Sequence, residues 1–112
     1  MIKISVTKRK KNIITIEANG HSGYAEEGSD IVCSAVSTLM QTLANGLTEV
    51  VKVLPKVCID EDVPFMSIQI EENNNESVME QVQVLMKTTV LALKDLADSY
   101  NKFIKLKEMH ND

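Results

Sequence analysis

The apolar residues of this 112-residue chain change their spacing four times, and each change restricts what it can fold into. Ile2, Ile4 and Val6 alternate with Lys3, Ser5 and Thr7. Ile14, Ile16 and Ala18 resume the same two-residue period after the polar run at 8–12. Strand side chains point alternately to opposite faces of a sheet, so residues 1–19 are predicted to form a β-hairpin with one buried face. The spacing then lengthens to three and four residues through Val32, Val36, Leu39, Leu43, Leu47, Val50 and Leu54, the period of a helix face. Ser29 or Asp30 can cap this helix by accepting from N–H groups of its first turn, and Pro55 marks its end. Two short strands are expected next, with Val57 and Ile59, then Met66, Ile68 and Ile70, turned inward and Cys58 outward. Residues 61–64 turn the chain between them. A second helical stripe runs through Val78, Val82, Leu85, Leu93, Leu96 and Tyr100, and residues 103–109 alternate again. The order β-β-α-β-β-α, with a candidate fifth strand, predicts an α+β two-layer sandwich. Its two helices pack on a mainly antiparallel sheet, in one domain spanning residues 1–112.

Hydrophobic residues at 44% and charged residues at 25% describe a chain that builds a core, and this length supports one without disulfide or metal staples. A net charge of −4 argues against direct nucleic-acid binding and favours a basic partner. Lys8, Arg9, Lys10 and Lys11, at the expected hairpin tip, read as a solvated turn. No apolar run is long enough to span a membrane, and the N-terminal charges follow the first apolar residues, unlike those of a signal peptide. The expected setting is therefore the reducing cytoplasm, where two cysteines stand as thiols.

The reactive residues concentrate in GHSGYAEEGSDIVCSAVS, residues 20–37. His21 lies where the second strand ends. Cys33 lies in the first turn of the long helix. A helix advances about 100° per residue, which puts Cys33 roughly 80° from the centre of the apolar stripe, on the shoulder of the core. A helix start carries about half a positive charge, and its N–H groups can hold an oxyanion. A thiol in such a setting ionises more readily. The other histidine, His110, is near the C-terminus and is expected to fray. The spacing alone also allows Cys33 as a small hydrophobe and His21 as a turn residue. Cys58 reads as structural. Zinc wants four ligands at recognisable spacing, so no metal is expected, and the glycines lack the spacing and lysine of a phosphate loop.

This stretch resembles the ribosomal-processing cysteine protease Prp family, whose members carry G-H, a loop, then G-x-D-I-V-C-x-x-x-S. The matching positions are Gly20, His21, Gly28, Asp30, Ile31, Val32, Cys33 and Ser37. The order of elements is also similar, so the resemblance covers nearly the whole chain. It implies a cysteine endopeptidase that removes the short N-terminal extension of a bacterial large-subunit ribosomal protein precursor, cutting after a hydrophobic, aromatic-containing sequence. It implies His21 as general base and Cys33 as nucleophile, forming a thioester that water hydrolyses. It further implies a homodimer and no cofactor.

Other residues fit around that reading. Glycines at the ends and middle of 20–29 suit a lid that closes on substrate. Glu26, Glu27 and Asp30 would attract a basic ribosomal protein. Val84 and Leu91, seven residues apart and off the inner stripe, are candidate dimer surface. Asp30 has three roles open to it: orienting His21, capping the helix, or binding the substrate backbone. Ser37, one turn after Cys33, either lines the pocket or bonds back to a helix carbonyl. Gly20 and Gly28 complete the set of substrate-binding or orienting residues. Two competing readings remain: a non-catalytic ribosome-associated binding module, and a thiol redox sensor with Cys58 as the resolving cysteine.

Overall fold

The computed structural model describes residues 1–20, 31–60, 62, 64–73 and 75–111. The strands are β1 (Ile2–Arg9), β2 (Asn12–Asn19), β3 (Lys56–Asp60), β4 (Phe65–Gln69) and β5 (Ile104–His110). The helices are α1 (Ile31–Asn45), continued by a π-helical segment (Gly46–Val51), and α2 (Glu76–Ser99). The sheet order is β3-β4-β2-β1-β5. Every pairing is antiparallel except β5 with β1, which is parallel. The helices cover one face, giving the expected α+β sandwich with the fifth strand present. Among the described residues, no helix is long and apolar enough to cross a membrane.

The hairpin alternation does what its period demands. Ile2, Ile4, Val6, Ile16 and Ala18 are buried beneath the helices, joined by Ile68 from β4 and Ile104 from β5. Val32, Val36, Met40 and Leu43 of α1, with Leu47, meet them from above. So do Met79, Val82, Met86, Val90 and Leu93 of α2. Each of these Val, Leu, Ile and Met side chains contributes about 1.5–3 kcal/mol on burial. Asn75 caps α2, its side chain accepting from the Val78 N–H at 3.2 Å.

Several expectations need correction. The first helix does not carry its stripe to Leu54. Val50 and Leu54 are 76% and 93% exposed, because the wider π-helical turn breaks the 3.6-residue phase. Lys52, in the left-handed region at φ 66°, ends the segment before Pro55. Met40, absent from the predicted stripe, is buried where Leu39 is only half-buried. On α2 the stripe is rotated toward Met79, Met86 and Val90, and Val78, Leu85, Leu96 and Tyr100 only flank the core. Val57 and Ile59 are exposed, because β3 is an edge strand outside the helix layer. Cys58 is exposed too, on the face of the sheet opposite that of Val57 and Ile59, as its alternation with them predicts. His110 does not fray. It closes β5 opposite Lys8, and the next N–H, of Asn111, donates to the Lys8 carbonyl at 2.9 Å.

Polar anchors gather at the hairpin-tip end of the sheet. Gln83 is buried, and its amide answers both backbone groups of Ile13: Nε2 donates to the carbonyl and Oε1 accepts from the N–H, each at 2.8 Å. Glu108 on β5 accepts from Lys94 of α2 at 2.7 Å and from Lys8 of β1 at 3.4 Å. The Lys94 hydrogen bond, foremost, holds its carboxyl below the usual range. The small stabilisation from this exposed cluster is present above the ordinary carboxylate pKa and is lost as pH falls through the lowered value.

Gln83→Met keeps the volume but leaves both Ile13 groups without partners. At about 1–3 kcal/mol for each buried unsatisfied group, it is expected to destabilise the fold by about 2 kcal/mol or more. The exposed Glu80→Gln is expected to stay within about 0.5 kcal/mol. Urea unfolding of both variants checks this.

Candidate active site

Gly20 directly follows β2 with φ at +99°, a conformation that residues with side chains rarely adopt. A β-carbon there would run into the carbonyl oxygen of Met1, so the strand can close against the start of β1 only through glycine. The Gly20 N–H donates to the Pro64 carbonyl at 2.8 Å, tying this end of β2 to the approach to β4.

Cys33 is the third residue of α1. Val32 and Val36 point into the sheet, 1% and 4% exposed, and this fixes the roll of the helix. Cys33 is turned about 100° from Val32 and emerges on the shoulder, half-buried and packed against the core. A cavity of about 340 Å³ opens there. Cys33, Ser37 and Met40 line it from α1, and Ile59, Phe65 and Met66 from β3 and β4, with Gly20 at the end of β2.

Three expected site residues, Gly20, Cys33 and Ser37, therefore meet in one cavity. His21, Gly28 and Asp30 lie outside the described residues. So do the lid, the helix cap at 29–30 and the carboxylates Glu26 and Glu27. His21 follows Gly20 directly in the chain, so the residue that carries it into the structure is a cavity residue.

The apolar lining was not read from the sequence as a site. Ile59 and Met66 are cross-strand partners, and Ile59 is 62% exposed. The alternation that suggested core positions held the signal, since it marked the helix-side face of β3, but the helices stop short of that strand. Cys58 sits between Val57 and Ile59 and so faces the other side of the sheet from α1. That placement gives no support to a resolving role. A larger cavity, about 620 Å³, lies between α1 and α2, lined by Ile31, Ser34, Thr38 and Asp95 among others. Neither cysteine lines it, so of these two cavities only the smaller brings expected site residues together. Among the described residues no cluster of histidine, cysteine and carboxylates is arranged to hold a metal ion.

This arrangement can attack a carbonyl. A thiol stands at a helix start, where backbone N–H groups and the positive end of the helix dipole favour a developing oxyanion. The lining accepts an apolar side chain beside the reacting bond.

The sequence model of the family described as Cysteine protease Prp matches residues 1–105. The chain is similar to the ribosomal processing cysteine protease Prp of Staphylococcus aureus (strain NCTC 8325 / PS 47): 24% identical over 107 residues, covering 95% of this chain and 97% of that protein. It is 29% identical over 119 residues to the protein of the same name from Mycoplasma pneumoniae, covering 100% of this chain and 99% of that one. Among solved structures, SMU.848 from Streptococcus mutans superposes with a TM-score of 0.87 at 35% identity, covering 99% of this chain and 96% of the other. The S. aureus ribosomal processing protease Prp, in complex with a covalently linked product peptide, shares the fold with a TM-score of 0.86 at 23% identity, covering 96% and 99%.

Gly20→Ala is expected to cost about 1–3 kcal/mol through backbone strain, with the collision at Met1 adding to it. Thermal and urea unfolding measure this. A variant as stable as the parent would show that the β2 terminus relaxes without glycine.

Proposed function

The chain belongs to the cysteine protease Prp family and is a cysteine protease, and from that premise we propose that Cys33 is its nucleophile and His21 its general base. The observation that carries this assignment is the shared cavity: Cys33 lines it from the start of α1, and Gly20, the residue before His21, lines it from β2. The relatives are named for ribosomal processing. The proposed substrate is accordingly the precursor of a bacterial large-subunit ribosomal protein, cut to remove a short N-terminal extension. The apolar lining from Met40, Ile59, Phe65 and Met66 suits a hydrophobic, aromatic-containing extension. A non-catalytic binding module does not fit membership of a protease family.

In the proposed sequence His21 takes the thiol proton and the Cys33 sulfur attacks the scissile carbonyl carbon. Backbone N–H groups at the start of α1 hold the resulting oxyanion. Collapse breaks the C–N bond, His21 returns the proton to the departing amine, and a thioester remains on Cys33. Water, deprotonated by His21, then hydrolyses the thioester and restores the thiol. Side chains and water supply every atom this sequence needs. Ser37, on the cavity wall one turn beyond Cys33, is assigned to bonding the substrate backbone. Asp30 and Gly28 are assigned to substrate binding or orientation by their match to the family motif.

The reading extends to assembly. A homodimer would bury Val84 and Leu91, which stand 64% and 63% exposed on α2. Residues 1–112 would act as one catalytic domain, in the cytoplasm where ribosomal proteins are made.

Cys33→Ala is expected to abolish cleavage of the precursor, followed by intact mass, and to keep the fold and the binding of the extension peptide. His21→Ala should lower the rate by about 10²–10⁴-fold, and Cys58→Ala should leave most of it. Full cleavage by Cys33→Ala would sink the assignment. Iodoacetamide should modify Cys33 faster than Cys58 at neutral pH. Exposure alone predicts the reverse order, since Cys58 is exposed and Cys33 half-buried. Sedimentation at micromolar concentration should show about twice the 12.5 kDa chain mass. A monomer throughout that range removes the dimer and leaves the chemistry untouched.

A further inference from the structure

Whole-chain charge argues against a nucleic-acid partner, but the fold sorts that charge. Eight of the twelve Lys and Arg residues lie along the β1–β5 edge: Lys3 and the run 8–11 on the β1–β2 hairpin, Lys102 in the turn before β5, and Lys105 and Lys107 on β5. They are far apart in sequence. The parallel addition of β5 beside β1 brings them together.

Lys3, Lys105 and Lys107 alternate with residues of the helix-side face, so all three stand on the open face of the sheet, and all three are exposed. Lys3 and Lys105 are direct cross-strand partners, and Lys107 pairs with Ser5. Like charges placed directly opposite destabilise a sheet. Glu108 pairs with Lys8 and Lys94, and neither pair relieves these three lysines. On that face the nearest carboxylate borne by a strand is Glu17, opposite Ser5 on β2. At the far end of the edge, Arg9, Lys10 and Lys11 extend the positive field. An anion on this face would turn a locally unfavourable arrangement into a favourable one.

We propose that the open face along β1 and β5 is a docking surface for the phosphate backbone of RNA. Lys105 and Lys107 are two residues apart on one strand, a step of about 6.6 Å, and the basic edge runs the length of β1, about 25 Å. A line of charge at regular steps meets a regularly charged polymer. Ser5, Thr7, Thr15 and Ser67 cover the neighbouring face with hydroxyls, which suit a hydrated phosphate–sugar backbone, and the exposed Met109 opposite Thr7 is not the broad apolar face that insertion into lipid needs. The surface lies across the sheet from the Cys33 cavity, so RNA and peptide can be held together. The inference rests on the charge map and stands whether or not the substrate assignment does.

The test is fluorescence anisotropy of the full chain with a labelled 20-base-pair RNA hairpin. Binding is expected at 50 mM KCl. It should weaken by about 40- to 150-fold at 200 mM, as three or four phosphate contacts require. The triple variant Lys3→Gln, Lys105→Gln, Lys107→Gln should bind at least about tenfold more weakly, with a shallower salt dependence, and should cleave the extension peptide as the parent does. Glu17→Gln should tighten binding. Absence of binding by the parent at 50 mM KCl overturns the proposal. So does a triple variant that binds like the parent, or association with phosphatidylglycerol vesicles in place of RNA under the same conditions.

Discussion

The site depends on one packing constraint, the seating of Val32 and Val36 in the apolar face made by β1, β2 and β4. With those two side chains committed to the sheet, the roll of α1 has no freedom left. Cys33 must then emerge on the shoulder, over the ends of β2 and β4 and beside Gly20. The same register puts Ser37 one turn further along the cavity wall. The Cys33 thiol is thus aimed by two valines buried against the sheet, and the helix that aims it also supplies the N–H groups at its start.

Much of this architecture was legible in residue spacing. Alternation identified β1, β2, β4 and β5, and the three-four stripe identified both helices. What spacing could not show was the extent of each layer. Val57 and Ile59 alternate as core residues do, but alternation reports only which face a residue occupies, not whether a helix lies above it. Here β3 is at the edge, and Ile59 is left to line the cavity. Val50 and Leu54 failed for a different reason. A π-helical turn holds more residues than the assumed period, so every position after it is out of phase. On α2 the methionines at 79 and 86 displaced the expected Val78 and Leu85, because an unbranched side chain fills the irregular gap between helix and sheet.

The candidate site was legible in a different way. Gly20, Cys33 and Ser37 came from a motif, and the structure places them around one cavity. His21, Gly28 and Asp30 came from the same motif, and their assignment rests on it together with the position of Gly20. The cavity walls were not legible, since they are built from strands that meet α1 only after folding. The basic edge was hidden for the same reason. Lys3 and Lys105 are separated by nearly the whole chain, and nothing in local sequence says that β5 will run parallel beside β1.

The two ends of the sheet are held by different means, and this separates folding from chemistry. At the hairpin-tip end, Gln83 locks α2 to Ile13, and Glu108 joins β5, β1 and α2 through Lys8 and Lys94. Directional polar contacts specify register as well as proximity. At the site end backbone ties among the described residues include the Gly20 N–H to Pro64 and the Ile2 N–H to Phe103, and much of the surrounding cavity wall is apolar. An apolar wall gains from any matching side chain that fills it and has no polar geometry to lose when it is empty. The specifying contacts therefore sit at the hairpin-tip end, and the adaptable ones line the cavity that holds Cys33.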